Sequence, residues 1–389
     1  MWTTVVREGA GVIIAFTVQR DGLYFTERVD GRIALKRLRR REATASEIEV
    51  PGGGTVRLLR GQPHESGVTF ASESWASPPH WQRVLSEAGA IAPLPIDDGY
   101  RAQAADSITA IARMFPSPDG TAVPASIVYS ARALRNGVLD GTAPLLIESY
   151  GAFARASDPA FNPFVRVWTA LGGVYAYAHV RGGGELGAAW HRAATREHKQ
   201  RTFDDMIGVI EGLIKERYTS AGRVTLLGIS FGANIPGMVM MQRPDLLGAA
   251  LFEVGQPDEI RGAKFDPTAA RNIGELGDLD TREGLRLLRA ASPYHQVPDS
   301  VRLPAVIVPS ATGDYNFGSD MLAGKYVARL QATNRGNRPV LWVQTDGGHL
   351  SLIGLSPVWA AKALSFALWQ SGVAKYQPQA DSGLARLPD

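Results

Sequence analysis

Six short apolar runs, each followed by a loop or a segment of helix length, constrain this chain more than any other feature. They are "PLLIESYG" (144–151), "VYAYAHV" (174–180), "RVTLLG" (223–228), "LGAALFEVG" (247–255), "LPAVIVPS" (303–310) and "PVLWVQTD" (339–346). Their apolar stretches are nearly continuous, with no alternating polar position, so both faces of each expected strand are destined for burial. Between them lie segments such as "FNPFVRVWTALG", "TFDDMIGVIEGLIKE" and "GSDMLAGKYVARLQA", and "PVWAAKALSFALW" closes the series. Strands alternating with helices predict a mostly parallel sheet covered on both faces. In such sheets the functional residues lie beyond the C-terminal ends of the strands.

The first 95 residues follow a different pattern. "GVIIAFTVQRDGLYFTERVDGRIALKRL" holds two Asp-Gly turn signals between short β-prone runs, a hairpin pattern. "GTVRLLRGQPHESGVTFASESWASPPHWQRVL" repeats the theme roughly forty residues later, a spacing typical of propeller blades. Two such units cannot close a ring, so their outer edges should need covering, by the second half of the chain or by another chain.

Several function classes drop out on composition. With no cysteine among 389 residues, disulfides, thiolate metal sites and a cysteine nucleophile are all excluded. The seven histidines show no HExxH or comparable spacing, so neither a metal nor an organic cofactor is implied. A net charge of +3 is partly local, in "KRLRRRE" at 36–42, which reads as a solvated strand edge. No nucleic-acid-binding signature accompanies it. The longest apolar stretches are too short and too Gly-broken to span a membrane. The N-terminus lacks the layout of a secretory signal, which favours a cytoplasmic location as an expectation.

The third run leads into "GISFGA", with Gly228 and Gly232 bracketing Ser230. This is the layout of a nucleophile elbow, a tight strand-to-helix turn that exposes a serine hydroxyl. The Phe231 N–H would then face an oxyanion formed at Ser230. Pro236 falls about a turn and a half into the expected helix, where it should remove a hydrogen bond and kink it. A nucleophilic serine needs a base and an orienting acid. His349 stands in the loop after the last run and Asp314 in the loop after the run before it. Ser230, Asp314, His349 is the chain order that an α/β-hydrolase sheet requires. Asp320 and Asp346 compete for the acid role, the first better explained as a helix start and the second as loop polarity.

Beyond the elbow, "YGAF" (150–153), "RGGGELGAAWH" (181–191), "FDDM" (203–206), "RPDLLGAALFEVG" (243–255) and "SPYHQV" (292–297) resemble the catalytic domain of the prolyl oligopeptidase family. The resemblance covers roughly residues 100–370, and residues 1–95 look similar to the last two blades of that family's propeller. It implies an α/β-hydrolase catalytic domain over residues 96–389 after a β-rich propeller-remnant segment over 1–95. It also implies a serine peptidase in which Ser230 is the nucleophile, His349 the general base and acid, and Asp314 its orienting carboxylate. Tyr150 matches the tyrosine whose hydroxyl joins the Phe231 N–H in the oxyanion hole. The "RGGGE" loop becomes a structural loop beside the active site rather than a phosphate cradle.

For the substrate pocket, the resemblance assigns Phe153, Asn272, Asn316 and Phe317. Phe153 matches an aromatic of the pocket wall. Asn272, or Arg271 if the register slips by one, stands where the family places a tryptophan against the substrate proline, and Asn316 where it places an arginine on a substrate carbonyl. Each loss should weaken binding by about 1–3 kcal/mol, which argues against strict post-proline cleavage. The expected partner is a peptide or small acyl substrate, with no nucleic acid or membrane. The same triad would also serve a small-ester esterase. From another class, an inactive remnant would act as a binding or assembly module, open β edges offering a surface to a second copy.

Overall fold

The computed structural model describes the chain apart from residues 1–2, 8, 10, 30, 52–53, 59–60, 86–88, 95–107, 266–268, 315–318, 350–355 and 379–389. The N-terminal sheet contains β1 (Val12–Gln19), β2 (Gly22–Val29), β3 (Arg32–Arg39), β4 (Ser46–Ile48), β5 (Thr55–Leu58), β6 (Thr69–Glu73), β7 (His80–Val84) and β8 (Ile91–Pro93). Strands β1 to β4 pair antiparallel in succession, as do β5 to β8. One parallel pair, Ile33 with Thr55, joins the two groups. These are the two blade-like units expected from the forty-residue spacing. Tyr24, Leu35 and Ile48 from one group and Val56, Phe70 and Val84 from the other share a single apolar core.

The basic run falls on β3 and the turn after it. Contrary to a wholly solvated edge, Arg37 is 2% exposed and faces the buried Asp21 carboxylate and Tyr24 hydroxyl. Lys36 pairs with Glu27 across the β2–β3 ladder.

The second sheet contains β9 (Ile108–Pro116), β10 (Ala122–Ser130), β11 (Leu145–Glu148), β12 (Val174–Ala178), β13 (Val224–Ile229), β14 (Leu247–Glu253), β15 (Ala305–Ala311) and β16 (Val340–Thr345). Its order is β9-β10-β12-β11-β13-β14-β15-β16. β9 and β10 form an antiparallel hairpin, β10 runs antiparallel to β12, and β12 onward is parallel. This is the α/β-hydrolase fold.

The helices are α1 (Pro163–Ala170), α2 (Ala188–Arg192), α3 (Gln200–Lys215), α4 (Asn234–Gln242), α5 (Glu259–Phe265), α6 (Arg282–Ala290), α7 (Pro293–Gln296), α8 (Ser319–Thr333) and α9 (Pro357–Gln370). Successive side chains of a strand point to opposite faces. On β12, Val174, Ala176 and Ala178 pack into the core with Phe203 and Met206 of α3 and Val239 of α4. Tyr175 and Tyr177 pack on the other face, whose core includes Trp168 of α1 and Phe366 of α9. Both faces being covered explains why these strands read as unbroken apolar runs.

The N-terminal sheet meets the loop after Phe153. The Arg28 guanidinium makes a two-point pair with Asp158, its Nη2 lying 2.8 Å from Oδ2. The Phe161 N–H donates to Glu73 at 3.0 Å, and the Trp75 and Tyr175 rings lie 5.5 Å apart.

Candidate active site

Strand β13 ends at Ile229, and Ser230 turns into the left-handed region with φ 56°. A non-glycine residue there costs about 1–3 kcal/mol and persists only where its surroundings over-determine it. Here they do. A Cβ on Gly228 would lie 2.4 Å from the Gly232 carbonyl oxygen and 2.6 Å from the Ala233 Cα. A Cβ on Gly232 would press on the Ser149 carbonyl oxygen at 2.9 Å. Both glycines are demanded by backbone passing backbone.

Pro236 does not kink the helix as expected. Residues Ser230–Ala233 form a 3-10 turn and α4 begins only at Asn234, so Pro236 falls in the first α-helical turn. The Gly232 carbonyl, which a longer helix would have offered to residue 236, accepts from the Asn234 N–H instead. Phe231 sits at the start of the 3-10 turn, where a backbone N–H has no partner within the helix.

The loops after β15 and β16 are tied together. The Thr312 N–H donates to the Thr345 carbonyl at 3.0 Å, and the Gly313 N–H to the Gly347 carbonyl at 2.8 Å. They bring His349 Nδ1 to 2.7 Å from Asp314 Oδ2, and His349 Nε2 to 3.0 Å from Ser230 Oγ. With its proton on Nδ1 toward the carboxylate, the imidazole presents a lone pair at Nε2 to the serine hydroxyl. Asp314 is buried. Asp320, the competing acid, accepts from Ser310 Oγ at the start of α8, and Asp346 is exposed.

Tyr150 follows β11 and points its ring toward the same place. Burial raises its phenol above the ordinary range, while the Arg155 charge and side-chain hydrogen bonds with Arg155 and Ser230 pull it back down. Phe153, in the left-handed region with φ 57°, stands edge-on to Phe231 at 4.8 Å and 6.4 Å from the Tyr150 ring. Asn272 is buried at the end of a 3-10 turn (Ala269–Asn272), its carbonyl accepting from the Glu275 and Leu276 N–H groups. No hydrogen bond joins Asn272 to Ser230 or Tyr150 among the described residues. Asn316 and Phe317 lie outside the described residues.

Sequence reasoning missed what holds the Tyr150–Phe153 segment. Buried Lys199 donates to the Gly151 carbonyl at 2.7 Å and to Glu275 Oε1 at 2.8 Å. Glu275 Oε2 accepts from the Phe153 N–H at 3.0 Å and lies 2.8 Å from His191 Nε2. Burial lowers the Lys199 pKa, and the Glu275 carboxylate opposes that shift. Lys199 gave no signal because "REHKQR" reads as a solvated polar run.

The "RGGGE" loop supports the segment from the other side. The Ala154 N–H donates to the Gly182 carbonyl at 3.3 Å, and the Gly184 N–H to the Arg155 carbonyl at 3.1 Å. A Cβ on Gly184 would lie 1.9 Å from the Ala154 carbonyl oxygen. Arg181 anchors this loop to Asp205 of the "FDDM" motif, with Nη2 2.5 Å from Oδ1 and the Arg181 N–H 2.9 Å from Oδ2. The glycines thus serve close backbone packing, which fits the structural loop that the resemblance implied.

The model of the prolyl oligopeptidase family matches residues 159–373, more than half of the chain. A prolyl endopeptidase from Elizabethkingia miricola is 29% identical over 381 residues, covering 96% of this chain and 52% of the relative. A dual function macrocyclase-peptidase from Amanita bisporigera is 34% identical over 244 residues, 62% of this chain and 33% of the relative. A solved prolyl endopeptidase structure superposes with a TM-score of 0.82 at 27% identity, covering 94% of this chain and 52% of that one. Oligopeptidase B from Leishmania major shares the fold, with a TM-score of 0.82 at 22% identity over 95% of this chain and 53% of that one. The chain spans about half the length of the prolyl endopeptidases it matches.

Proposed function

Since the chain belongs to the prolyl oligopeptidase family, we propose that it is a serine hydrolase that cleaves peptide or related acyl bonds through an acyl-enzyme. The observation that carries this reading is His349, standing between Asp314 at 2.7 Å and a left-handed Ser230 at 3.0 Å. Ser230 Oγ attacks the substrate carbonyl carbon as its proton passes to His349 Nε2, and Asp314 stabilises the imidazolium that results. The Tyr150 hydroxyl and the Phe231 N–H donate to the tetrahedral oxyanion, each such donor being worth about 10²–10³ in rate. Collapse breaks the scissile bond, and His349 returns the proton to the leaving amine. Water, deprotonated by the same imidazole, then releases the acyl group and restores Ser230.

We read residues 1–95 as the propeller-remnant segment and 96–389 as the catalytic domain, a boundary that falls outside the described residues. Phe153 and Asn272 line the acyl side of the pocket in this reading. Asn272 leaves no aromatic platform there for a proline ring, so strict post-proline specificity is not expected.

The test is labelling by a fluorophosphonate, followed by intact mass, on the chain and on Ser230→Ala. One stoichiometric adduct that disappears in the variant is the expected result. A folded chain that takes no adduct would overturn the hydrolase reading. Turnover of esters but of no peptide in a substrate panel would replace the peptidase by an esterase on the same triad.

A further inference from the structure

Arg155 is an exposed cation beside the reacting serine, and nothing in the proposed reaction uses it. Its backbone is fixed at both ends, the N–H donating to the Ala152 carbonyl at 3.0 Å and the carbonyl accepting from Gly184 at 3.1 Å. Its guanidinium carbon lies 4.8 Å from the centre of the Tyr150 ring, and its charge reaches the Tyr150 hydroxyl, which also meets Ser230. The guanidinium therefore stands one phenol away from the carbonyl that Ser230 would attack.

Neighbouring arginines have carboxylate partners. Arg28 is held by Asp158, and Arg181 by Asp205 and Asp119. Among the described residues, no carboxylate lies within ion-pair distance of Arg155. Glu275, which accepts from the Phe153 N–H of this segment, is also occupied by Lys199 and His191. A guanidinium offers five donors in a planar fork that fits a carboxylate at two points, and stacking on an aromatic face reduces the freedom it loses on binding.

Taking the serine-hydrolase reading as its basis, we propose that Arg155 is the specificity-determining residue of this site and anchors a substrate carboxylate. The preferred substrates are peptides whose attacked carbonyl belongs to an acidic residue. Its side chain folds back over Tyr150 onto the guanidinium while the carbonyl oxygen meets the Tyr150 hydroxyl. Binding covers both charges from water, which strengthens a pair that would be weak on an open surface.

The experiment compares two peptidyl diphenyl phosphonates, identical except for a glutamate-like or a glutamine-like side chain at the phosphorus-bearing residue. The second-order rate of adduct formation at Ser230 is followed by intact mass. Wild type is expected to favour the acidic probe by about tenfold, the change that one charge-assisted contact supplies. Arg155→Met brings the ratio close to one, and Arg155→Lys, which keeps the charge, holds it between the two. A ratio near one in wild type overturns the anchor. So does equal slowing of both probes in Arg155→Met, which would mean that Arg155 acts only by strengthening the Tyr150 donor. Labelling of wild type by a small uncharged fluorophosphonate separates the two readings. If it occurs while the ratio fails, the anchor alone falls, and if it never occurs, the hydrolase reading falls and takes the anchor with it.

Discussion

Two stretches that look alike in sequence end in opposite surroundings. "VIIAFTV" on β1 and "LGAALFE" on β14 are both nearly unbroken apolar runs, yet β14 is buried at every residue while β1 leaves Ile13, Ile14, Phe16 and Val18 in water. The reason is connection rather than composition. β14 is parallel to its neighbours, and a parallel connection must cross a face of the sheet, which lays α4 over one side of that strand, while α9, following the last strand, covers the other. β1 is joined to β2 by a two-residue turn, Gln19 pairing with Gly22, and a hairpin brings no covering layer with it. An apolar run is therefore buried on both faces where helices elsewhere in the chain lie over each of them, as over β14, and not where the chain only turns back on itself, as at β1.

The largest effect that can probe this difference lies under the C-terminal sheet. Arg181 and Asp205 are both buried, and removing Asp205 leaves the Arg181 charge only the half-exposed Asp119 as a partner. Asp205→Ala is expected to lower the unfolding free energy in urea by about 3–5 kcal/mol. It should also loosen the "RGGGE" loop that packs on Ala154 and Arg155. A loss below about 1 kcal/mol would mean that water reaches Arg181 and that this half is less completely covered than its burial implies.

The same contrast explains how much could be read in advance. The parallel strands and the Ser230, Asp314, His349 order were legible because covered strands are continuous and because a triad needs its members after successive strands. The two β-rich units were legible from their turns and spacing. Lys199, Glu275 and Arg155 were not, since a loop residue follows no periodicity and its partners are far away in the chain. Glu275 lies 76 residues from Lys199 and 122 from Phe153. Pro236 was misjudged for a local reason: an elbow that opens with a 3-10 turn delays the α-helix by four residues, and the proline then costs little.

A smaller effect is expected from pH, again in the covered half. Glu259 is fully buried beside the elbow helix, and burial pushes its carboxyl up to about 8 against hydrogen bonds from Asn234 and Gln256. The Asn234 and Gln256 amide oxygens lack partners in the present geometry, and a proton on Glu259 would supply a donor that either could accept after an amide flip. The folded state thus keeps a proton that the unfolded chain releases in the ordinary carboxylate range. That contribution is fully present below this range and is lost as pH rises toward 8, with a slope of at most about 1.4 kcal/mol per pH unit. Glu259→Gln, neutral at every pH, should flatten the profile of unfolding free energy between pH 5 and 8. An unchanged slope would show that Glu259 titrates normally and that water enters beneath α4.

The smallest effect should come from β1 itself. Phe16 is 70% exposed, opposite Phe25 in the ladder, and the far edge of β1 pairs with no other strand among the described residues. A residue already in water has little burial to lose, so Phe16→Ser should move the unfolding free energy by less than about 0.5 kcal/mol. Burying such a ring fully is worth about 1.5–3 kcal/mol. A loss of that size at micromolar protein would therefore mean that β1 is covered in solution. Repeating the measurement over a hundredfold dilution decides what covers it, because association with a second copy makes the loss shrink on dilution and a contact within the chain does not.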